Sequence, residues 1–207
     1  MTGQDLEERN PTDIIKEIIS VPVEDDITFE FESISPIREE DEYGGFTVSL
    51  TGHLENIRQT VNLDIATGDS ITPNAVLYKY KRLLEKDTLD FLAYNLETVI
   101  SEKMQTIYNR GLLNSRSKDF YDIYIIYKLK WNEINISDLK SAFKKTCEYR
   151  KTIFTKESAF DVLLKLEKDE LIKNRWLNYV KKNDFASGIE FDDVMQSCKT
   201  VTEILFE

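Results

Sequence analysis

A lysine set in the apolar stripe of one helix, with two carboxylates opening the next, is the pattern that most constrains how this chain folds. In the stretch 95–127, NLETVISEKMQTIYNRGLLNSRSKDFYDIYIIY, Asn95 has the form of an N-cap. Leu96, Val99, Ile100, Met104 and Ile107 then recur at helical spacing. Gly111 is placed to end this helix in the left-handed conformation. At about 100° per residue, Leu96, Ile100, Lys103 and Ile107 fall within one narrow sector. Lys103 therefore projects from the core-facing side and must reach water or meet an anion. A second helix begins near Ser117, with Asp119 and Asp122 in its first turn, where the helix dipole favours negative charge. The two aspartates are three positions apart and share a side, while Phe120, Ile123, Tyr124 and Tyr127 supply the packing face. If the helices form a hairpin, Lys103 approaches one or both carboxylates. The spacing leaves two readings open: an ion pair that fastens the hairpin, or a charged functional site.

The rest of the chain divides by periodicity. A helix is expected from Thr12 to Ser20, followed by an alternating strand, Ile27 to Phe31, which Ile34 and Ile37 continue past an irregularity near Pro36. Phe46, Val48 and Leu50 mark a second strand and Arg58 to Ile65 a third, together an antiparallel meander half-buried on one face. A proline-bearing loop over 71–79 and a short apolar connection over 83–94 precede the helices. Helices are expected at about 95–110, 117–129, 137–150, 155–167, 169–183 and 190–206. The last carries Phe191, Val194, Met195, Cys198, Val201 and Leu205 on one stripe. This is an α+β chain with a sheet lobe at 1–94 and a helical lobe at 95–207. Within the third strand, Val61, Leu63 and Ile65 alternate to one face and Asn62 and Asp64 to the other. Asp64 is thus either part of an ordinary polar face or a carboxylate at a strand end, ahead of the turn Thr67-Gly68-Asp69, that suits a metal.

Composition narrows the class further. No apolar run in the 207 residues approaches the roughly 18 needed to span a membrane, and no signal peptide opens the chain, so a cytoplasmic location is expected. Cys147 and Cys198 are too few and too separate for a disulfide framework and fall in helical patterns, as buried thiols do. His53 is the sole histidine, which argues against a histidine-rich metal site or a serine triad. The net charge of −11 averages two unlike parts: residues 1–70 hold 17 acidic and 4 basic side chains, whereas 101–182 hold 18 basic and 11 acidic. A cationic helical half suits a polyanion such as RNA, or else simply presents solvated helix faces. Tyr149, Phe154, Trp176 and Tyr179 interleave with that charge at spacing that fits a helical core.

A set of motifs points to a family. Asn95-Leu96-Glu97-Thr98, Glu102-Lys103, Arg110-Gly111, Arg116 and Lys118-Asp119-Phe120-Tyr121-Asp122-Ile123-Tyr124 form one group. Val23-Glu24-Asp25-Asp26, Tyr43-Gly44-Gly45, Leu63-Asp64-Ile65, Gly68-Asp69 and Ile71-Thr72-Pro73 form another, upstream. From about Gly3 to Leu129 the chain resembles the AbiEii/AbiGii toxin family, nucleotidyltransferase-like proteins of abortive-infection (phage defence) and toxin–antitoxin systems. The resemblance implies a polymerase-beta-like sheet followed by a helical lobe, with Mg2+ and a nucleoside triphosphate (NTP) as cofactor and substrate. It implies transfer of a nucleotidyl group to RNA, tRNA in some members, and an antitoxin protein as partner. On it, Lys103 contacts the triphosphate, Asp119 orients the site, and Asp64 is the later strand carboxylate that holds metal. Arg110, Arg116 and Asp122 join the nucleotide-binding set.

One departure follows from the same comparison. Family members carry a glycine- and serine-containing loop and an Asp-x-Asp strand pair ahead of the first stretch matched here. Asp5-Leu6-Glu7 has the outline of that pair, but Gly3, Leu6 and Asn10 align with a connecting segment, and no apolar strand surrounds it. With Asp64 alone on the sheet, this chain is expected to be N-terminally truncated relative to the family and inactive by itself. The alternative is a catalytically inactive relative that serves as an interaction module, its exposed sheet edge covered by a second copy as a homodimer.

Overall fold

Phe31 and Ile34 are three residues apart, yet both face the same side of a sheet, which a regular strand cannot arrange. The computed structural model, which describes residues 10–23, 26–37, 45–66, 70–83 and 86–207, shows how. Strand β1 (Thr28–Pro36) pairs antiparallel with β2 (Gly45–Leu54), and the register shifts between Phe31 and Ser33, leaving Glu32 as the extra residue of a bulge. Phe31 then lies opposite Leu50 and Ile34 opposite Val48. Strand β3 (Ile57–Ala66) continues the meander in unbroken register, giving the order β1–β2–β3. Helix α1 (Pro11–Ile19) starts with proline after Asn10, whose side chain accepts the Thr12 N–H at 3.0 Å. Its Ile15 joins Val48 and Leu50 in a small core bordered by Ile19, Phe31, Ile34 and Ile65. The other sheet face carries Thr47, Ser49, Thr51, Thr60, Asn62 and Asp64.

Residue contacts divide the chain into two units, one ending at Asp69 and the other beginning at Ser70. Residues 70–94, expected in the sheet lobe, fall with the helices in this division. That stretch is also where loop and connection were expected. It contains an antiparallel hairpin, β4 (Val76–Lys81) and β5 (Thr88–Ala93). Val76, Tyr78 and Tyr80 lie opposite Ala93, Phe91 and Leu89, an alternation whose signal the nearby proline obscures. The Tyr78 and Phe91 rings meet edge-on at 5.6 Å.

Six helices follow: α2 (Leu96–Arg110), α3 (Ser117–Leu129), α4 (Ile136–Tyr149), α5 (Lys156–Lys168), α6 (Glu170–Lys182) and α7 (Phe191–Phe206). Each agrees with its expected span to within one residue at either end. Asn95 caps α2 by accepting the Thr98 N–H at 2.7 Å, and its amide donates to Thr72 O and Asn74 O, tying the incoming segment to the helix start. Asn135, Thr155 and Asp169 cap α4, α5 and α6 in the same way. Helix α2 does end at Gly111, but with φ +47° and ψ −131°, a region open to glycine rather than the left-handed helical one. One core unites the bundle: Ile100, Met104 and Ile107 from α2, Phe120 and Ile123 from α3, Leu139 from α4, Leu163 and Leu166 from α5, Trp176 from α6, and Met195 and Val201 from α7. Buried polar groups are paired within it, Tyr108 with Thr202 at 2.7 Å and the Trp176 indole with Ile189 O at 3.1 Å. No helix among the described residues is long and apolar enough to cross a membrane.

Two expectations follow from this core. Leu163→Ala removes a fully buried side chain and lowers unfolding free energy by about 2–5 kcal/mol in urea titration; a loss under about 1 kcal/mol would contradict the packing. Both cysteines are buried, and burial pushes the Cys147 thiol up and the Cys198 thiol up to about 12. At about pH 8 Ellman's reagent should react with neither thiol of the native chain and with both after denaturation; rapid native reaction would place a thiol at the surface.

Candidate functional site

The α2–α3 hairpin brings Lys103 to both carboxylates. Its Nζ lies 3.2 Å from Asp119 Oδ1 and 2.6 Å from Asp122 Oδ2. Arg116, just before α3, reaches the same aspartate with Nη2 3.3 Å from Oδ1 and Nε 2.9 Å from Oδ2. Burial grades across the cluster: the Asp119 side chain is 1% exposed, Lys103 17%, Asp122 22% and Arg116 54%. Two cations and two carboxylates therefore compensate one another around a single buried carboxylate. Arg116 Nε is close to Oδ2, yet no donor is aligned on that oxygen for a hydrogen bond. A buried pair of this kind contributes little against an apolar replacement, but removing one partner strands the other charge.

The turn between the helices is fixed from elsewhere in the bundle. Gly111–Leu113 forms a 3-10 turn, after which the Asn114 side chain accepts the Arg116 N–H at 2.9 Å. Arg175 of α6 donates to Asn114 O at 2.8 Å and to Leu112 O at 3.5 Å. Arg175 was not singled out in the sequence, since nothing local marks a residue some sixty positions away as the support of this turn.

The remaining candidates are placed differently. Arg110 lies in the last turn of α2 and, among the described residues, makes no ion pair with the cluster. Asp64 belongs to the first unit, exposed on the polar sheet face, where it accepts the Thr47 hydroxyl at 2.7 Å. Magnesium takes close to octahedral oxygen ligation, usually from one or two carboxylates with waters and substrate phosphates. Among the described residues, no three His, Cys, Asp or Glu side chains gather in a group that could hold a metal ion. The donor set around Asp64 in the described part therefore does not by itself fit a divalent ion. Asp5-Leu6-Glu7 lies outside the described residues, as do Glu24-Asp25, Tyr43-Gly44 and Thr67-Gly68-Asp69. His53 pairs with Glu30 at 3.4 Å on the sheet.

Comparison with known proteins gives these residues a context. A family model described as the nucleotidyl transferase AbiEii toxin, type IV toxin–antitoxin system, matches residues 4–197. The chain belongs to that family. The match extends through α6 and into α7, well beyond Leu129, where the sequence motifs stop. No curated protein sequence matches the chain. Two solved structures resemble it in outline, each at 14% identity and a TM-score of 0.41 over 96% of this chain. One, covered over 73% of its length, is described as a "putative nucleotidyltransferase" from Helicobacter pylori, and the other, covered over 71%, is JHP933 from Helicobacter pylori.

The graded burial predicts unequal costs. Asp119→Ala leaves Lys103 and Arg116 partly buried without their shared anion and should cost about 3–5 kcal/mol of unfolding free energy. Asp122→Ala, at the rim, should cost under about 1 kcal/mol. Equal losses in denaturant titration would mean that Asp119 is not the centre of the cluster.

Proposed function

We propose that this chain is the toxin component of an AbiEii-type system and, contrary to the inactivity expected from its sequence, transfers a nucleotidyl group from an NTP to RNA, with tRNA as the acceptor class. The observation that carries this reading is the Lys103–Asp119–Asp122–Arg116 cluster, which lies within the residues matched to a nucleotidyl transferase family. Lys103 contacts the triphosphate as a point charge, and Asp119 keeps its ammonium aimed from the buried side. Asp122, more exposed, is the carboxylate that an incoming phosphate competes with for that ammonium. Arg116, more than half exposed, has both a buried anchor in Asp119 and freedom to meet phosphate oxygens. Arg110, in the last turn of α2, stays in the nucleotide-binding set by family resemblance. Asp64, in the first unit, keeps the carboxylate role that the family resemblance implies for it, although its described surroundings do not complete a metal site. A proteinaceous antitoxin is the natural partner for a chain of this family, and the cytoplasm its site of action.

A second reading has its own support. The four charges compensate one another, as they would in a fastener that only holds the hairpin of an inactive relative. Incubation of the chain with labelled NTPs, magnesium and total tRNA separates the two. The enzymatic reading predicts incorporation into RNA that Lys103→Ala lowers by about 100-fold or more while the variant remains folded by circular dichroism. No incorporation by the wild-type chain, or an undiminished rate in Lys103→Ala, contradicts it.

A further inference from the structure

The cations of the helical unit are not all alike. Lys130, Lys144, Lys156, Lys165, Lys173 and Lys199 each pair with a glutamate or aspartate within 4.0 Å. Lys118, Arg175 and Lys182 have no carboxylate partner among the described residues, and Arg175 spends its donors on backbone carbonyls. These three, with Arg116, converge on one cleft of about 390 Å³, which Ser115, Ser117, Asn178 and Tyr179 complete. Two helices far apart in sequence build it: the first turn of α3 on one side and the outer face of α6 on the other. Gathering uncompensated positive charge costs self-repulsion, and a bound anion offsets that cost.

The second observation is aromatic. Tyr179, in the wall of the cleft, lies 5.9 Å from the Tyr121 ring and 6.3 Å from the Phe185 ring, and Phe185 lies 5.1 Å from Tyr121. The two tyrosines are half-buried, but Phe185, on the 3-10 turn Asp184–Ala186, is 62% exposed. A phenyl ring held in place by two others and open to water on its outer side is a stacking platform. Tyr179 also joins the cleft to the site: its hydroxyl is pushed up by burial and then by the nearby Asp122 charge.

We propose that this cleft binds a phosphodiester of a single-stranded polynucleotide, with the neighbouring base stacked on Phe185, which Tyr121 and Tyr179 back. Lys118, Arg175 and Lys182 surround the phosphate, and the Ser115 and Ser117 hydroxyls are available to its oxygens. An isolated phosphate would use the cations and leave the rings idle, whereas a duplex would bury its bases away from them. The proposal rests on the reading that the acceptor is RNA, and it places that acceptor's strand beside the Lys103 cluster within the helical unit.

The test is fluorescence anisotropy on the full chain with labelled single strands about 12 nucleotides long, RNA and DNA of one sequence, and the corresponding duplex. Both single strands should bind, and the duplex about tenfold more weakly. In the Lys118→Ala, Lys182→Ala double variant, the slope of log affinity against log salt should fall by about 1.4. Phe185→Ala should weaken binding about tenfold with the slope unchanged. Lys181→Ala, on the same helix but outside the cleft, should change neither. All three substituted cleft positions are exposed, so thermal melting should match the wild type. Duplex binding equal to single strand, or wild-type affinity and slope in the double variant, overturns the proposal. Incorporation into RNA with binding indifferent to these residues removes the cleft and leaves the activity. Cleft-dependent binding without incorporation into any RNA does the reverse.

Discussion

Asp119 is a carboxylate withdrawn from water and held between Lys103 and Arg116, and the geometry of the α2–α3 hairpin depends on it. Lys103 occupies a position where the helix pattern asks for an apolar residue, and only a buried anion makes that position tolerable. The anion is available because α3 starts where it does, and α3 starts there because Asn114 turns the chain and Arg175 pins the turn from α6. Three parts of the bundle thus converge on one charge. The same convergence opens the cationic cleft, since Arg116 and Lys118 closely precede Asp119 in sequence while Arg175 and Lys182 share a helix.

Charge is distributed in keeping with this arrangement. The strongly acidic residues 1–70 correspond closely to the first unit, whose described sheet presents hydroxyls and Asp64 on its polar face. The excess of basic residues lies in the helices, where Lys130, Lys144, Lys156, Lys165, Lys173 and Lys199 are neutralised by pairs that contribute little. What marks the cleft is the gathering of Lys118, Arg175 and Lys182, without carboxylate partners among the described residues, near the exposed Phe185 ring. Membership in the AbiEii family gives the cluster a chemical context, and the cleft gives the proposed polymer a definite place on the helical unit.

Much of this was legible in the sequence where a period repeats over several turns. The six helices and the approach of Lys103 to Asp119 and Asp122 follow from spacing, because each depends on residues within one hairpin. The irregularity expected near Pro36 is not there, since pairing runs unbroken from Ser33 to Pro36; the bulge lies at Glu32, set by the need to turn both Phe31 and Ile34 toward Val48 and Leu50. The β4–β5 hairpin escaped because Pro73 and the short connection after residue 81 resemble a loop, and its apolar residues lie on both faces. The cleft was illegible for a different reason. Lys118 and Lys182 look like any solvated lysine until the fold sets α3 beside α6, and Tyr179 reads equally as core.

The central claim is that Lys103, aimed by Asp119, is a phosphate contact and not merely a fastener. Calorimetric titration of the folded wild-type chain and of Lys103→Met with the common nucleoside triphosphates tests it most directly, because it reads binding without requiring turnover. The claim predicts saturable triphosphate binding by the wild type that weakens at least about tenfold in Lys103→Met. Equal affinity in a folded Lys103→Met chain would show that the lysine serves only the hairpin.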